Sequence, residues 1–278
     1  MELWTKSHIK TLLPTIAVMI ILAIVLKLTI GKKEEKIRMI PFQIVAVMLV
    51  VLEVIKQALA IADGYTDLYK LPFHFCSLFI FFPIITAFYK GKFKDNIRSF
   101  TTTTLAMLTI LMLVYPQLIY PEWQIIECFD HFFNFHTVAF HALAMFEFVL
   151  IISLNLHKPN AKRDIKALLI GLGIFCFVSC SMAYILKTNF NNFYTCNVPP
   201  LEAIRLAVAE SAGLTVAQII YALCVVVMDF VFAFIAYGLY RLGLFVACKI
   251  KNACTKNKAN EEVKTNVPEQ KPEETQTK

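Results

Sequence analysis

Seven apolar stretches, residues 9–30, 40–60, 71–89, 100–119, 131–153, 167–186 and 214–237, recur along the chain. Each is close to the ~20 residues that a helix needs to cross a bilayer. In hydrocarbon every backbone N–H and C=O has to be satisfied within the protein, so such a segment spans as a helix, and the unbroken runs exclude the alternating strands of a barrel. The expected fold is all-α: a polytopic membrane protein with seven transmembrane helices.

The loops set an expected orientation, because Lys and Arg are retained on the cytoplasmic side. Lys32, Lys33, Lys36 and Arg38 follow the first stretch, Lys90, Lys92, Lys94 and Arg98 the third, and Lys158, Lys162, Arg163 and Lys166 the fifth. The alternate loops, around Asp63 and Asp67, over residues 120–130 and over residues 187–213, are poorer in positive charge. The N-terminus is therefore expected outside and the C-terminus in the cytoplasm. Lys6 precedes the first stretch and Lys10 falls at its very start, as in a signal peptide, but the apolar run is too long and no A-x-A site follows, so it is expected to be a span.

With 58% hydrophobic and 17% charged residues there is little material for a separate soluble domain. Residues 1–246 are expected to form one membrane domain, and residues 247–278 a basic juxtamembrane segment with a disordered cytoplasmic tail. From Thr255 the chain mixes Lys, Glu, Thr, Asn, Gln and Pro without apolar periodicity. Arg241, Lys249, Lys251, Lys256 and Lys258 suit anionic headgroups at the bilayer surface, and the net charge of +7 is explained by the cytoplasmic loops without nucleic acid. The plasma membrane is the expected location.

Ionisable groups within spans are costly and mark function or a specific partner. Here they are His74, His131, His136, His141, Glu147 and Asp229, with Glu53 and Lys56 on one face of the second span. Counting from the span boundaries at ~1.5 Å per residue, Cys76 and His136 each lie roughly 7 Å below the outer boundary. A thiol and an imidazole level with each other on separate helices can form a Cys/His pair, in which the base draws the thiol toward a thiolate that attacks an acyl carbon. His74 is turned about 200° from Cys76 on a regular helix and qualifies only if Pro72 keeps the first turn non-helical. The histidines at 131, 136 and 141 recur about 140° apart, unlike the i, i+4 pair of a helix-borne zinc site, so no metal site is expected on this helix; no cofactor is expected either. Glu53 and Lys56 read first as an ion pair, with Lys56 a candidate for a lipid phosphate. Asn189 reads first as a turn residue and second as a donor to an acyl oxyanion. Asp229 has equal claims to a structural bond and to function.

Cys176, Cys180 and Cys224 read as small buried apolar residues. Cys128 and Cys196 both fall in outward loops, where an oxidising compartment permits a disulfide if their Cα atoms come within the required ~6 Å.

Leu71-Pro72-Phe73-His74-Phe75-Cys76 resembles the L-P-x-H-L-C opening of a span in the YwaF family of integral membrane proteins, which is related to the eukaryotic transmembrane protein 164 family. The resemblance continues through Pro116 and Pro121, through Phe132-Phe133-Asn134-Phe135-His136, similar to F-F-x-x-H, and through Thr188-Asn189-Phe190, similar to T-N-Y. It covers roughly residues 60–195, and the family's G-P-W-P-W approach to the seventh span is absent. The resemblance implies an all-helical membrane fold and, from the eukaryotic branch, acyl transfer on phospholipids with a Cys nucleophile and a His base, which fall on Cys76 and His136. His74, Asn189 and Lys56 are the substrate-binding candidates beside them, and His141 is expected to matter much less. The alternatives are a transporter of ions or small molecules, with Glu53, Lys56, His141 and Asp229 along its path, and a non-catalytic membrane scaffold.

Overall fold

The computed structural model describes residues 3–64, 67–196 and 199–265. Among these there is no strand. The helices are α1 (Lys6–Ile30), α2 (Glu35–Ala62), α3 (Leu78–Phe88), α4 (Lys94–Val114), α5 (Glu122–Ile126), α6 (Phe132–Ser153), α7 (Ala161–Leu186), α8 (Pro199–Ala212) and α9 (Leu214–Thr265). Seven helical segments are long and apolar enough to cross a membrane: α1, α2, the segment Leu68–Phe88 that ends in α3, α4, α6, α7 and the Leu214–Ile250 part of α9.

Local chemistry fixes several boundaries. Thr5 caps α1, its hydroxyl facing the backbone N–H and the ring of His8 in a reciprocal capping box. The Asn160 side chain accepts from the Arg163 N–H to start α7, and Lys187 in the left-handed region ends it. The third span begins differently. Pro72 lacks an N–H, Leu71 and His74 are extended (ψ 149° and 162°), and Phe75–Ser77 makes a 3₁₀ turn before α3 starts.

The helix α4 is the centre of the bundle: 67% of its apolar window is buried, against 17% for α1. It packs on α3, α6 and α7, while α2 packs on α3 and α6, and α1 on α5 and α6. Thr101, Thr102, Thr103 and Thr104 are all buried there. Their hydroxyls donate back to carbonyls one turn earlier, which satisfies them within the helix and leaves a slim surface for close packing.

The ends carrying the basic loops are tied together by charge. Buried Arg98 donates to the Leu156 carbonyl at 2.6 Å and to Glu35 at 2.9 Å, and Lys94 meets the same Glu35 oxygen at 2.8 Å. Arg38 donates to the carbonyls of Leu154 and Asn155. Fully buried Asp164 accepts from Ser99, the Asn160 N–H and the Tyr237 hydroxyl, joining α4, α7 and α9. Part of the positive charge that the loop argument counts is therefore structural.

The chain divides into two units, Met1–Tyr237 and Gly238–Lys278. The first contains the bundle. The second is helical to Thr265. Residues 266–278, the end of the tail that the sequence suggests is disordered, lie outside the described residues.

Candidate active site

At the end of the bundle away from the basic loops, the 3₁₀ turn Phe75–Ser77 sets Cys76 against α6. The Cys76 sulfur lies 2.9 Å from Nε2 of His141. Nδ1 of His141 is 2.7 Å from the Thr137 carbonyl. A carbonyl oxygen only accepts, so Nδ1 carries the ring proton, and Nε2 presents its lone pair to the thiol. The ring is held edge-on between Phe140, with centroids 5.7 Å apart, and Tyr120, at 6.3 Å.

The sequence expectation pairs Cys76 with His136; the structure gives Cys76 a different hydrogen-bond partner, His141. The reason lies in the lead-in to the third span. Extended backbone advances ~3.3 Å per residue and a 3₁₀ turn ~2.0 Å, against ~1.5 Å for the α-helix assumed in the depth count. Between Leu71 and Cys76 the chain passes through extended residues, a tight turn closed by the Phe73 N–H on the Leu71 carbonyl and the 3₁₀ turn, so its path differs from the regular helix of that count and the thiol meets a deeper residue of α6. Five residues past His136 on α6, His141 is the imidazole at that depth. The signal was Pro72.

His136 faces α2. Its Nε2 is 3.4 Å from Oε2 of Glu53, and its ring stacks on Phe140 at 5.3 Å. Glu53 also holds Lys56 at 2.8 Å and accepts from Gln57, whose amide donates to the Lys70 carbonyl at 2.9 Å, tying α2 to the chain before the third span. Glu53 and Lys56 thus make the ion pair that their spacing suggests, and His136 joins it. This cluster neighbours the thiol–imidazole pair through Phe140, whose ring meets His136 at 5.3 Å and His141 at 5.7 Å.

The first turn of the third span is non-helical, yet His74 does not turn to Cys76. Its Nε2 is 2.9 Å from the Tyr69 carbonyl, and its ring lies against Tyr69 and Phe190. Asn189 is a turn residue: its carbonyl oxygen accepts from the N–H groups of Tyr194 and Thr195, and its amide faces Asn192. Asp229 is anchored by the Asn191 amide at 2.7 Å, with Cys176 at 3.7 Å. Glu147 is fully buried on α6, and neither carboxyl oxygen has a hydrogen-bond partner.

A residue that the sequence did not single out completes the surroundings. Tyr120 is fully buried, its carbonyl facing Nε2 of His8 at 3.0 Å, and its hydroxyl has no hydrogen-bond partner. Burial holds the phenol well above its ordinary pKa, so it stays protonated, a donor.

No disulfide joins Cys128 to Cys196. Cys128 is buried beside α5, and burial raises its thiol pKa, whereas Cys196 packs against the core formed by α7 and α9. The sequence left this bridge open, and the two cysteines belong to different neighbourhoods. Cys176 is buried as expected, but Cys224 is exposed.

The architecture defines an all-helical integral membrane protein with a thiol–imidazole contact between the 3₁₀ turn that precedes α3 and the helix α6. A model of the TMEM164 family matches residues 3–240, and the chain belongs to that family. Neither a curated protein nor a solved structure matched the chain.

Proposed function

We propose that this protein is a phospholipid acyltransferase or transacylase with Cys76 as nucleophile. The observation that carries this reading is the 2.9 Å contact between the Cys76 sulfur and Nε2 of a neutral, oriented His141. His141 takes the thiol proton as the sulfur attacks an ester carbonyl of a phospholipid; the C–S bond forms, the ester C–O bond breaks, and His141 returns the proton to the departing lysophospholipid oxygen. An acceptor hydroxyl then attacks the thioester, giving its proton to His141, and the leaving thiolate recovers that proton. His136, assigned as the base from the sequence, acts with Glu53 as a neighbouring charge-positioning pair, and Lys56 is the candidate for a lipid phosphate. His74 and Asn189 act by holding the backbone that surrounds the site.

The buried Tyr120 hydroxyl is a donor for the oxyanion that develops on the attacked carbonyl. The test is transfer of a labelled acyl chain from phospholipid to lysophospholipid by the full chain in liposomes. Wild type is expected to transfer it and Tyr120→Phe to be slower by about 10²- to 10³-fold, with an unchanged unfolding midpoint. No transfer by wild type across phospholipid donors contradicts the function; an unchanged rate in Tyr120→Phe removes Tyr120 from it.

The site is assigned to the outer half of the membrane, with the N-terminus outside, on the charge of the loops. Single cysteines placed at Lys92 and at Pro121, in a background lacking other reactive thiols, are expected to be labelled from opposite sides of the membrane, Lys92 from the cytoplasm. Labelling of both from one side overturns the topology.

A further inference from the structure

A second feature lies on the other face of the third span. Between α3, α4 and α7 runs a slot of about 800 Å³ lined almost wholly by aromatic and branched apolar side chains. Along α7 its lining extends from Lys166 to Ser179, which at ~1.5 Å per residue is roughly 20 Å. One leaflet contributes about half of the ~30 Å hydrocarbon core, so the slot is as deep as one leaflet and its glycerol region.

Its two ends differ. At the end with the basic loops the lining includes Lys166, Asn96 and Phe93, and the Lys92 ammonium lies 5.0 Å from the centroid of the Phe93 ring. Among the described residues neither lysine has a carboxylate partner, in contrast to Lys94 and Arg98 nearby, which share Glu35. At the far end are Phe73, Ser77 and Ser179, and the Ser179 hydroxyl is already committed to the Phe73 carbonyl at 2.8 Å. The slot is therefore cationic at its membrane boundary and apolar with a satisfied polar group at its inner end. Ile170, Ile174 and Val178 line it and are exposed, so it opens sideways to the lipid. Gly171 allows the close approach of α4: a Cβ there would lie 2.5 Å from the Phe100 ring, which also lines the slot.

We propose that this slot holds one anionic glycerophospholipid, its phosphate between Lys166 and Lys92 and one acyl chain along α7 toward Phe73 and Ser77. A zwitterionic lipid offers the same chain but carries an ammonium against two unpaired lysines, so charge selects the anionic headgroup. The chain end lies against the residues flanking Cys76, and its occupancy buttresses the non-helical turn that carries the thiol. The inference stands on the slot and its charges alone and does not depend on acyl transfer.

The test is native mass spectrometry of the purified full chain titrated with phosphatidylglycerol or phosphatidylcholine, with helical content and monodispersity checked for each variant. Wild type is expected to retain one phosphatidylglycerol in preference to phosphatidylcholine. Lys166→Glu is expected to weaken retention about tenfold, Lys166→Gln by less, and Ile174→Trp, which fills the slot from its exposed side, to remove it. Inorganic phosphate at the same concentration should leave the lipid bound. Equal retention of the two lipids, displacement by phosphate alone, or retention unchanged in both Lys166→Glu and Ile174→Trp overturns the proposal.

Discussion

Cys76→Ala is expected to abolish acyl transfer, and His141→Ala to lower it by about 10²- to 10⁴-fold, the range that general acid–base catalysis contributes. Both variants should insert and fold, because Cys76 contributes one contact at the start of α3 and His141 is held by its own helix as well as by the thiol. His136→Ala should reduce the rate less than His141→Ala, since Nε2 of His136 faces Glu53. The order of the two histidines is the discriminating result: a larger loss from His136→Ala than from His141→Ala restores the pairing that sequence depth alone suggests.

The second large effect is on stability. Glu53 is 6% exposed and serves Lys56, Gln57 and His136 at once. Glu53→Ala removes the carboxylate of that cluster and leaves the Lys56 ammonium, its side chain 17% exposed, without its ion-pair partner. Breaking a buried pair from one side typically costs about 3–5 kcal/mol; with Lys56 partly exposed the loss is below that range, and the variant should show a lowered unfolding midpoint in detergent. Glu53→Ala with Lys56→Met, which removes both charges, should recover much of the loss. A single variant as stable as wild type would show that Glu53 is not an energetic partner of Lys56.

Much of the fold could be read in the residues because lipid restricts the backbone to few solutions: apolar length gives the spans, and all seven are present. The Glu53–Lys56 pair followed from spacing on one helical face, and the turn role of Asn189 from its place after α7. What sequence could not supply was depth where the backbone leaves the α-helix. A count at one constant rise levels Cys76 with His136; the non-helical lead-in around Pro72, with its 3₁₀ turn, departs from that rise and brings Cys76 to His141. The burial of Arg98 and the hydroxyl of Tyr120 were equally hidden, because each depends on which loop folds over it. Charge counting treats Arg98 as a loop residue, whereas its partners, Glu35 and the Leu156 carbonyl, come from distant parts of the chain.

The most direct measurement of the central assignment is covalent. The full chain in liposomes is incubated with a phospholipid bearing a labelled acyl chain, quenched in acid and digested, and the peptide containing Cys76 is examined by mass spectrometry. A Cys76 thioester is expected in wild type, cleaved by neutral hydroxylamine, and strongly reduced in His141→Ala. Continued acyl transfer with Cys76 unmodified, or transfer undiminished in Cys76→Ala, would contradict the assignment of Cys76 as the nucleophile.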